Sequence, residues 1–215
     1  MIDHAVLAPE ADEPRIAAAC EAAKANAFHA VCVASSWVTF AASAVAGSDV
    51  KVCTTIGFPH GTSLTSAKVV EAERAVLAGA HELDTVINAG FLKSGYDKKV
   101  VGDIGAVVES ARSLSSRVIV KVILETSLLS EDEKVRGCRL AEEASADFVK
   151  TSTGFGPRGA TVEDVRLLRK TVGDRLGVKA AGGIRDLRAV LAMIEAGANR
   201  IGSSSSVAVM REYRR

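Results

Sequence analysis

Short apolar runs alternate with amphipathic, alanine-rich stretches along the whole chain. Eight of these runs are predicted to be strands, and they lie at residues 2–7, 30–35, 50–58, 82–88, 117–126, 146–153, 177–183 and 200–205. Several carry consecutive apolar residues instead of strict alternation, which is typical of strands that are covered on both faces. The pattern therefore predicts a parallel sheet that lies between helices.

The stretches between the runs carry helix signals. Ser130 and Glu133 have the spacing of a capping box, and Asp186 is predicted to cap a later helix. The buried stripe of that later helix is predicted to comprise Leu187, Val190, Leu191 and Ile194. Gly79 and Gly197 stand where two helices are expected to end, each just ahead of the next strand.

Eight strands at intervals of about 28 residues, each but the last followed by a helix, predict a single-domain α/β fold, a (β/α)8 TIM barrel over residues 1–215. The alternative is a doubly wound open sheet, but such sheets seldom use eight regular units, and no GxGxxG motif follows the first strand. Only VAVMREYRR follows the serines of the last run, so the closing helix is expected to be short.

Composition excludes several classes of function. The chain is 48% hydrophobic and 25% charged with a net charge of +1, so neither nucleic acid nor an anionic membrane is an expected partner. Aromatic residues make up only 4%, which also argues against surfaces that stack on bases. No apolar run reaches the length of a signal peptide or a membrane helix, so we expect a soluble, cytoplasmic protein.

The cysteines and histidines predict no metal centre. The four cysteines are scattered without a CxxC or a Cys/His pair, which favours reduced thiols in the cytoplasm over a disulfide framework or a zinc site. The four histidines have no metal-ligand spacing either, and we interpret them as structural or surface residues.

Three charged residues lie inside strand-like runs: Asp84 in ELDTVIN, Lys150 in DFVKTST and Lys179 in GVKAAGG. Since side chains alternate along a strand, the apolar neighbours of these three can face the outer helices while the charged groups point into the barrel. The same reasoning makes Asp3 another charge partner for the lysines. It also predicts an interior ion pair between Lys121 and Glu125.

The three interior charges have two interpretations. One is a purely structural salt-bridge cluster, which is the better interpretation for any one of them alone. The other is a reagent, because desolvation and a second ammonium group lower the pKa of a lysine and release a nucleophilic amine. Such an amine forms a Schiff base with a carbonyl compound, and Asp84 and Lys179 can move protons around it. Taken together, the three residues favour the reagent.

Glycines and serines cluster at the ends of the last three strands. Loops in this position of a barrel often bind phosphate through bare backbone N–H groups, hydroxyls and a helix N-terminus. The candidate phosphate-binding residues are Gly154, Gly182, Gly183, Gly202, Ser204 and Ser205, and Arg185 can add charge. Ordinary turns use the same residue types, but two such loops on adjacent strands favour phosphate.

Eight segments follow one another along the chain in the order IDH, VCV, TTIGFPHG, ELDTVIN, KVILET, ADFVKTSTGF, VKAAGGIR, RIGSSS. This order resembles the deoxyribose-phosphate aldolase family along essentially the whole chain. The resemblance implies a (β/α)8 barrel that reversibly cleaves 2-deoxy-D-ribose 5-phosphate to D-glyceraldehyde 3-phosphate and acetaldehyde, without a metal or other cofactor. It implies that Lys150 is the Schiff-base lysine, that Lys179 is the second lysine that keeps the amine of Lys150 unprotonated, and that Asp84 is the acid/base group. The glycines and serines named above match positions around the substrate phosphate.

The chain departs from the family pattern at Ala5 and Val6 and again at Ala34 and Ser35, which puts the contacts to the substrate hydroxyls in question. Tyr213 is the only candidate for a C-terminal tyrosine that assists proton transfer in some members. Two other functions stay open at this point: a Schiff-base aldolase or lyase for a different phosphorylated carbonyl compound, and a phosphosugar-binding protein without catalysis. The assembly is open between a homodimer and a homotetramer.

Overall fold

The computed structural model describes residues Met1–Arg215. Eight parallel strands form a closed barrel in chain order, and the first strand pairs with the last. The strands are β1 (Ile2–Val6), β2 (Ala30–Val33), β3 (Lys51–Ile56), β4 (Glu82–Val86), β5 (Ile119–Ile123), β6 (Phe148–Lys150), β7 (Gly177–Ala181) and β8 (Arg200–Ser203). The closed barrel confirms the predicted fold and excludes the open sheet.

Every strand is followed by at least one helix. The helices are α1 (Glu13–Ala25), α2 (Val38–Ala44), α3 (Thr65–Leu77), α4 (Ala89–Lys93), α5 (Asp97–Leu114), α6 (Glu131–Glu143), α7 (Val162–Val172), α8 (Leu187–Glu195) and α9 (Ser206–Tyr213). The closing helix α9 is short, as predicted. None of the nine helices has the length and apolar character needed to span a membrane.

The predicted strands begin within two residues of the observed ones, but all of them end too late, by one to three residues. The excess residues are mostly small, polar or glycine residues, and four are large and apolar: Leu7, Phe58, Ile87 and Leu124. They belong to the loops at the C-terminal end of the barrel, where the active sites of such barrels lie. The error in the strand ends therefore marks the loops that form the site.

The helix signals are largely confirmed. Ser130 and Glu133 form a complete capping box at the start of α6, and the Asp186 side chain accepts a hydrogen bond from Ala189 N at the start of α8. Gly79 and Gly197 follow α3 and α8 with φ of 107° and 109°, values that favour glycine. The predicted stripe of α8 is wrong in part, since Leu191 is 53% exposed and Met193 is buried in its place.

The apolar core lies between the strands and the helices. It comprises 49 buried residues and includes the outward-facing side chains Leu83, Val149 and Val178, which are the predicted neighbours of the three interior charges. The inside of the barrel is different, because it holds a small cluster of Ala30, Cys32 and Cys53 and is otherwise rich in charged side chains.

Candidate active site

Lys150 and Lys179 lie side by side on neighbouring strands. Lys150 is the last residue of β6, and its Cα is paired in register with the Cα of Lys179 in β7. Their side chains therefore leave the sheet on the same face, toward the interior, and both are almost completely buried. The structure thus brings together the two lysines that the alternation pattern predicts.

Asp84 connects the two lysines. Its Oδ2 lies 2.8 Å from Lys150 Nζ and 2.7 Å from Lys179 Nζ, and its Oδ1 lies 2.7 Å from Lys121 Nζ. The carboxylate has no exposed surface, and burial alone would raise its pKa. The three ammonium groups outweigh burial and hold the pKa of Asp84 well below its usual range. Asp84 is therefore an anion.

Lys179 has a second carboxylate partner, since its Nζ lies 2.6 Å from Asp3 Oδ2. This confirms the prediction that Asp3 is a charge partner of the lysines. Burial alone would lower the pKa of Lys179, but Asp3 and Asp84 raise it well above its usual value. Lys179 is therefore a cation at neutral pH and stands directly beside Lys150.

Six buried side chains of alternating sign form a closed circuit inside the barrel, which we call the charge ring. Each member contacts the next at 2.6–2.9 Å, in the order Asp84, Lys121, Glu82, Arg200, Asp3, Lys179 and back to Asp84. Lys150 is attached to the ring through Asp84 alone. His29 is attached through Glu82, with Nε2 at 2.7 Å from Oε1.

The predicted ion pair between Lys121 and Glu125 is wrong. Lys121 contacts Glu82 and Asp84, while Glu125 accepts hydrogen bonds from the hydroxyls of Ser127 and Thr153 and from Thr153 N. The cause is the backbone at Glu125, which is left-handed with φ of 52°, so the strand alternation does not extend that far.

A cavity of about 460 Å³ opens above the lysines at the C-terminal end of the barrel. Its lining includes Lys150, Lys179 and most of the predicted phosphate-binding residues: Gly154, Gly182, Gly183, Gly202 and Ser204. Arg185 lines the cavity as well. Ser205 does not; it lies at the start of α9, and its N–H donates to Ser203 Oγ. Asp84 lies below the cavity, behind the lysines.

The loops around the cavity offer unpaired donors. The backbone N–H groups of Gly154, Gly182, Gly183 and Ser204 make no hydrogen bond within the protein. The three glycines have φ between 75° and 90°, a conformation that other residues rarely adopt. Free N–H groups on a glycine backbone, close to an arginine, form a surface that suits an oxyanion such as phosphate.

Gly202 differs from these three glycines, because its φ is not positive. A Cβ at this position would lie 3.1 Å from Lys179 Cε and 3.1 Å from Ala181 Cβ. The bare backbone of β8 thus leaves the space through which the Lys179 side chain reaches Asp84.

Other cavity residues were not predicted. Arg15 from α1 and Phe155 from the loop after β6 both line the cavity, and Phe155 packs edge-on against Phe58 with ring centroids 5.4 Å apart. No periodic pattern marks such loop residues in the sequence. Of the positions that depart from the family pattern, Ala5 lines the cavity and Ala34 does not. Tyr213 lies outside it and is 68% exposed.

Two groups of side chains have the spacing of metal ligands: Cys32, Cys53 and Asp84 form one, and Asp3, Cys53 and Glu82 form the other. The ligand atoms of each group lie within 4.8 Å of one another. In the second group, Asp3 and Glu82 are each bound by two cations of the charge ring. The Asp84 carboxylate is already bound by three ammonium groups, and Lys121 Nζ also lies 3.5 Å from Cys53 Sγ. The local positive charge therefore opposes the binding of a cation at this position.

A parallel eight-stranded barrel whose C-terminal cavity ends on a buried pair of lysines has the architecture of an enzyme. A sequence profile described as DeoC/LacD family aldolase matches residues 1–210. The chain belongs to this family.

Relatives with established names agree over nearly the whole length. The deoxyribose-phosphate aldolase of Caldanaerobacter subterraneus subsp. tengcongensis is 51% identical over 100% of this chain and 93% of its own. That of Streptococcus sanguinis is 54% identical over 98% of this chain and 94% of its own. Among solved structures, the tetrameric deoxyribose phosphate aldolase of Aeropyrum pernix superposes with a TM-score of 0.92 at 31% identity, covering 99% of this chain and 89% of that one.

Proposed function

We propose that this protein is a class I aldolase that reversibly cleaves 2-deoxy-D-ribose 5-phosphate to D-glyceraldehyde 3-phosphate and acetaldehyde. The observation that carries the proposal is a lysine, Lys150, that faces a cavity beside a second lysine and shares one carboxylate oxygen with it. The kinship to named deoxyribose-phosphate aldolases supports the choice of substrate.

Lys150 is the nucleophile. Its neutral amine adds to C1 of the open-chain aldehyde, and loss of water gives an iminium ion. A base removes the proton of the C3 hydroxyl, the C2–C3 bond breaks, and its electron pair passes into the iminium to form an enamine. Glyceraldehyde 3-phosphate leaves. The enamine is protonated at C2, and water then hydrolyses the resulting iminium to acetaldehyde and the free amine.

Asp84 and Lys179 supply and accept the protons of these steps. Lys179 is a cation held by Asp3 and Asp84, so its charge opposes a second positive charge on Lys150. Asp84 is within hydrogen-bond distance of both nitrogens and can pass a proton between them, or through a water molecule to the substrate.

The substrate phosphate binds at the loops after β6, β7 and β8. The free N–H groups of Gly154, Gly182, Gly183 and Ser204 support this assignment, as does the guanidinium of Arg185. A phosphate held there places the other end of a five-carbon sugar toward the lysines. The cavity volume of about 460 Å³ lies within the range typical of small-ligand sites.

Borohydride trapping tests the mechanism. The protein is mixed with 2-deoxyribose 5-phosphate and sodium borohydride, and peptide mass spectrometry locates the reduced adduct. We expect one adduct on Lys150 and none in Lys150→Ala. Lys68 provides an internal control, because it is a fully buried lysine that lies outside the cavity and is paired with Asp103.

Two results would refute the proposal. An adduct on another lysine would show that Lys150 is not the nucleophile. The absence of any adduct would favour a phosphosugar-binding protein whose lysines are structural. A panel of phosphorylated aldehydes with acetaldehyde as donor separates the proposed substrate from other carbonyl compounds. Faster turnover of a different acceptor would show that the proposed substrate is wrong, while the Schiff-base mechanism would still hold.

The same kinship supports the wider assignments. We propose that residues 1–215 form one catalytic domain that works in the cytoplasm in the breakdown of deoxyribonucleosides. The relative from Aeropyrum pernix is described as a tetramer, so a homodimer or homotetramer is the proposed assembly. Light scattering at the concentration of the activity assay measures it directly.

A further inference from the structure

Two members of the charge ring form no ion pair with Lys150 and do not line the cavity. These are Glu82 and Arg200, which are buried and bonded to each other at 2.8 Å. Glu82 also accepts hydrogen bonds from His29 and Lys121, and Arg200 also binds Asp3. This half of the ring has no part in the mechanism described above.

The charges inside the barrel do not balance once Lys150 is included. Within the ring, three cations face three carboxylates, and each cation contacts two of them. Lys150 contacts only Asp84, through an oxygen that Lys179 also uses. An ammonium at Lys150 is therefore the one interior cation without a counter-charge of its own. The other charges of the ring determine how strongly the Asp84 carboxylate can stabilise that ammonium.

We infer that Glu82 and Arg200 are positioning residues that set, through the charge ring, the pH at which the amine of Lys150 becomes reactive. Glu82 shares Lys121 with Asp84, and Arg200 shares Asp3 with Lys179. A change in charge at either residue alters the field at Lys150 without touching the substrate. This inference rests on the proposed role of Lys150 as the nucleophile.

The sign of each effect follows from Coulomb's law. Removing the anion in Glu82→Gln leaves the interior more positive, so Lys150 releases its proton at a lower pH. Removing the cation in Arg200→Gln does the opposite. For unit charges roughly 8 Å to 10 Å apart in a protein interior, the shift is about one pH unit in each direction. Loss of structure alone would not produce shifts of opposite sign.

Other titratable groups lie near this half of the ring and enter the design of the test. The Nε2 of His29 contacts Glu82, while His81 and the N-terminal amine of Met1 also lie in the field of Glu82. Repeating the Glu82→Gln comparison in a His29→Gln background removes the nearest of them as the source of a shift.

The experiment is competitive labelling of the free enzyme with trace acetic anhydride from pH 5 to pH 11, with the acetylation of Lys150 quantified by peptide mass spectrometry. We expect the midpoint to fall by about one unit in Glu82→Gln and to rise by about one unit in Arg200→Gln. Arg200→Lys keeps the charge and should restore the midpoint of the unaltered protein.

Asp103→Asn is the matched control, because it removes an anion from the buried Lys68–Asp103 pair outside the cavity, and it should leave the midpoint unchanged. Equal midpoints in all variants, or shifts in the same direction, would overturn the inference. If Glu82→Gln does not fold, the comparison of Arg200→Gln with Arg200→Lys is sufficient to test the inference. Labelling needs no substrate, so its outcome is independent of borohydride trapping, whose failure would refute the proposed function.

Discussion

Lys150 and Lys179 bind the same oxygen atom, Asp84 Oδ2, at 2.8 Å and 2.7 Å. Two ammonium groups on one oxygen repel each other, and Lys179 has Asp3 as a second anion while Lys150 has none. Asp3 and Asp84 outweigh burial and hold the pKa of Lys179 well above its usual value. Two residues of the same type on neighbouring strands therefore have different charged surroundings.

Replacing Lys179 by leucine should disable the nucleophile without removing it. In Lys179→Leu, Asp84 Oδ2 binds Lys150 alone and favours its ammonium form, so the acidic limb of the profile of kcat/KM against pH should move upward by about one unit or more. At pH 7 a shift of one unit should lower kcat/KM by about tenfold. Lys134→Leu is the control, since it removes a buried lysine paired with Asp164 and should lower stability without moving the limb. An unmoved limb in Lys179→Leu would contradict the assignment.

Gly202→Ala should impair catalysis more than binding. The added Cβ would lie 3.1 Å from Lys179 Cε, which displaces the lysine by a few tenths of an ångström. We expect kcat to fall roughly fivefold to tenfold and KM to change less than twofold, because the substrate contacts are intact. Gly105→Ala in α5 has open space around the new methyl group and serves as the matched substitution. A rise in KM with constant kcat would place Gly202 in substrate binding.

Ser204→Ala should weaken the binding of the phosphate alone. Its hydroxyl is exposed in the cavity, and loss of a hydrogen bond to a charged group should raise KM for 2-deoxyribose 5-phosphate by roughly tenfold. Steady-state rates with unphosphorylated 2-deoxyribose should not change. Ser205→Ala is the comparison, as Ser205 lies outside the cavity lining and should have less than a twofold effect. Equal losses for both sugars would argue against a phosphate contact at Ser204.

The interior charges also predict how stability depends on pH. The pKa of Asp84 and that of Glu82 lie below their usual values of 3.8 and 4.5, despite burial, because the lysines and His29 favour the charged forms. Their contribution to the free energy of unfolding is complete above those usual values and is lost as the pH falls through the lower, folded-state values.

The cations produce the opposite dependence. The pKa of Lys121 and that of Lys179 lie above the usual 10.5 despite burial, because Asp84 raises the first and Asp3 together with Asp84 raises the second. Their contribution is therefore complete below that value and is lost as the pH rises through the folded-state values. Tm measured by scanning fluorimetry should be nearly constant between about pH 5 and pH 10 and should fall on both sides. A maximum of Tm in acid would contradict the ionised ring.

The sequence is sufficient to predict the barrel and the central residues of the site. In β4, β6 and β7 the side-chain period of two places Asp84, Lys150 and Lys179 opposite apolar neighbours, so their inward direction follows from the local pattern alone. Glu82 precedes Asp84 by two residues and shares its face. The same alternation places Glu82 inside the barrel.

The contacts across the barrel could not be predicted in this way. Which carboxylate Lys121 binds depends on the stagger of β4 against β5 and on the left-handed turn at Glu125, and neither leaves a periodic signal. The residues of the cavity wall could not be predicted either. Arg15 and Phe155 come from a helix start and a loop, whose positions are determined only by the closed barrel. Local pattern determines which way a strand residue points, and tertiary packing determines what it contacts.

The anions and the cations of the charge ring come from different halves of the chain. Its three carboxylates come from β1 and β4, while its three cations, together with Lys150, come from β5 to β8. The first four strands thus contribute only acid to the interior circuit, and the last four contribute only base. A half-barrel paired with a copy of itself would bring like charges together, whereas an acidic half beside a basic half places every carboxylate of the ring against cations. The charges around Lys150 therefore also distinguish the two halves of the polypeptide that close on each other.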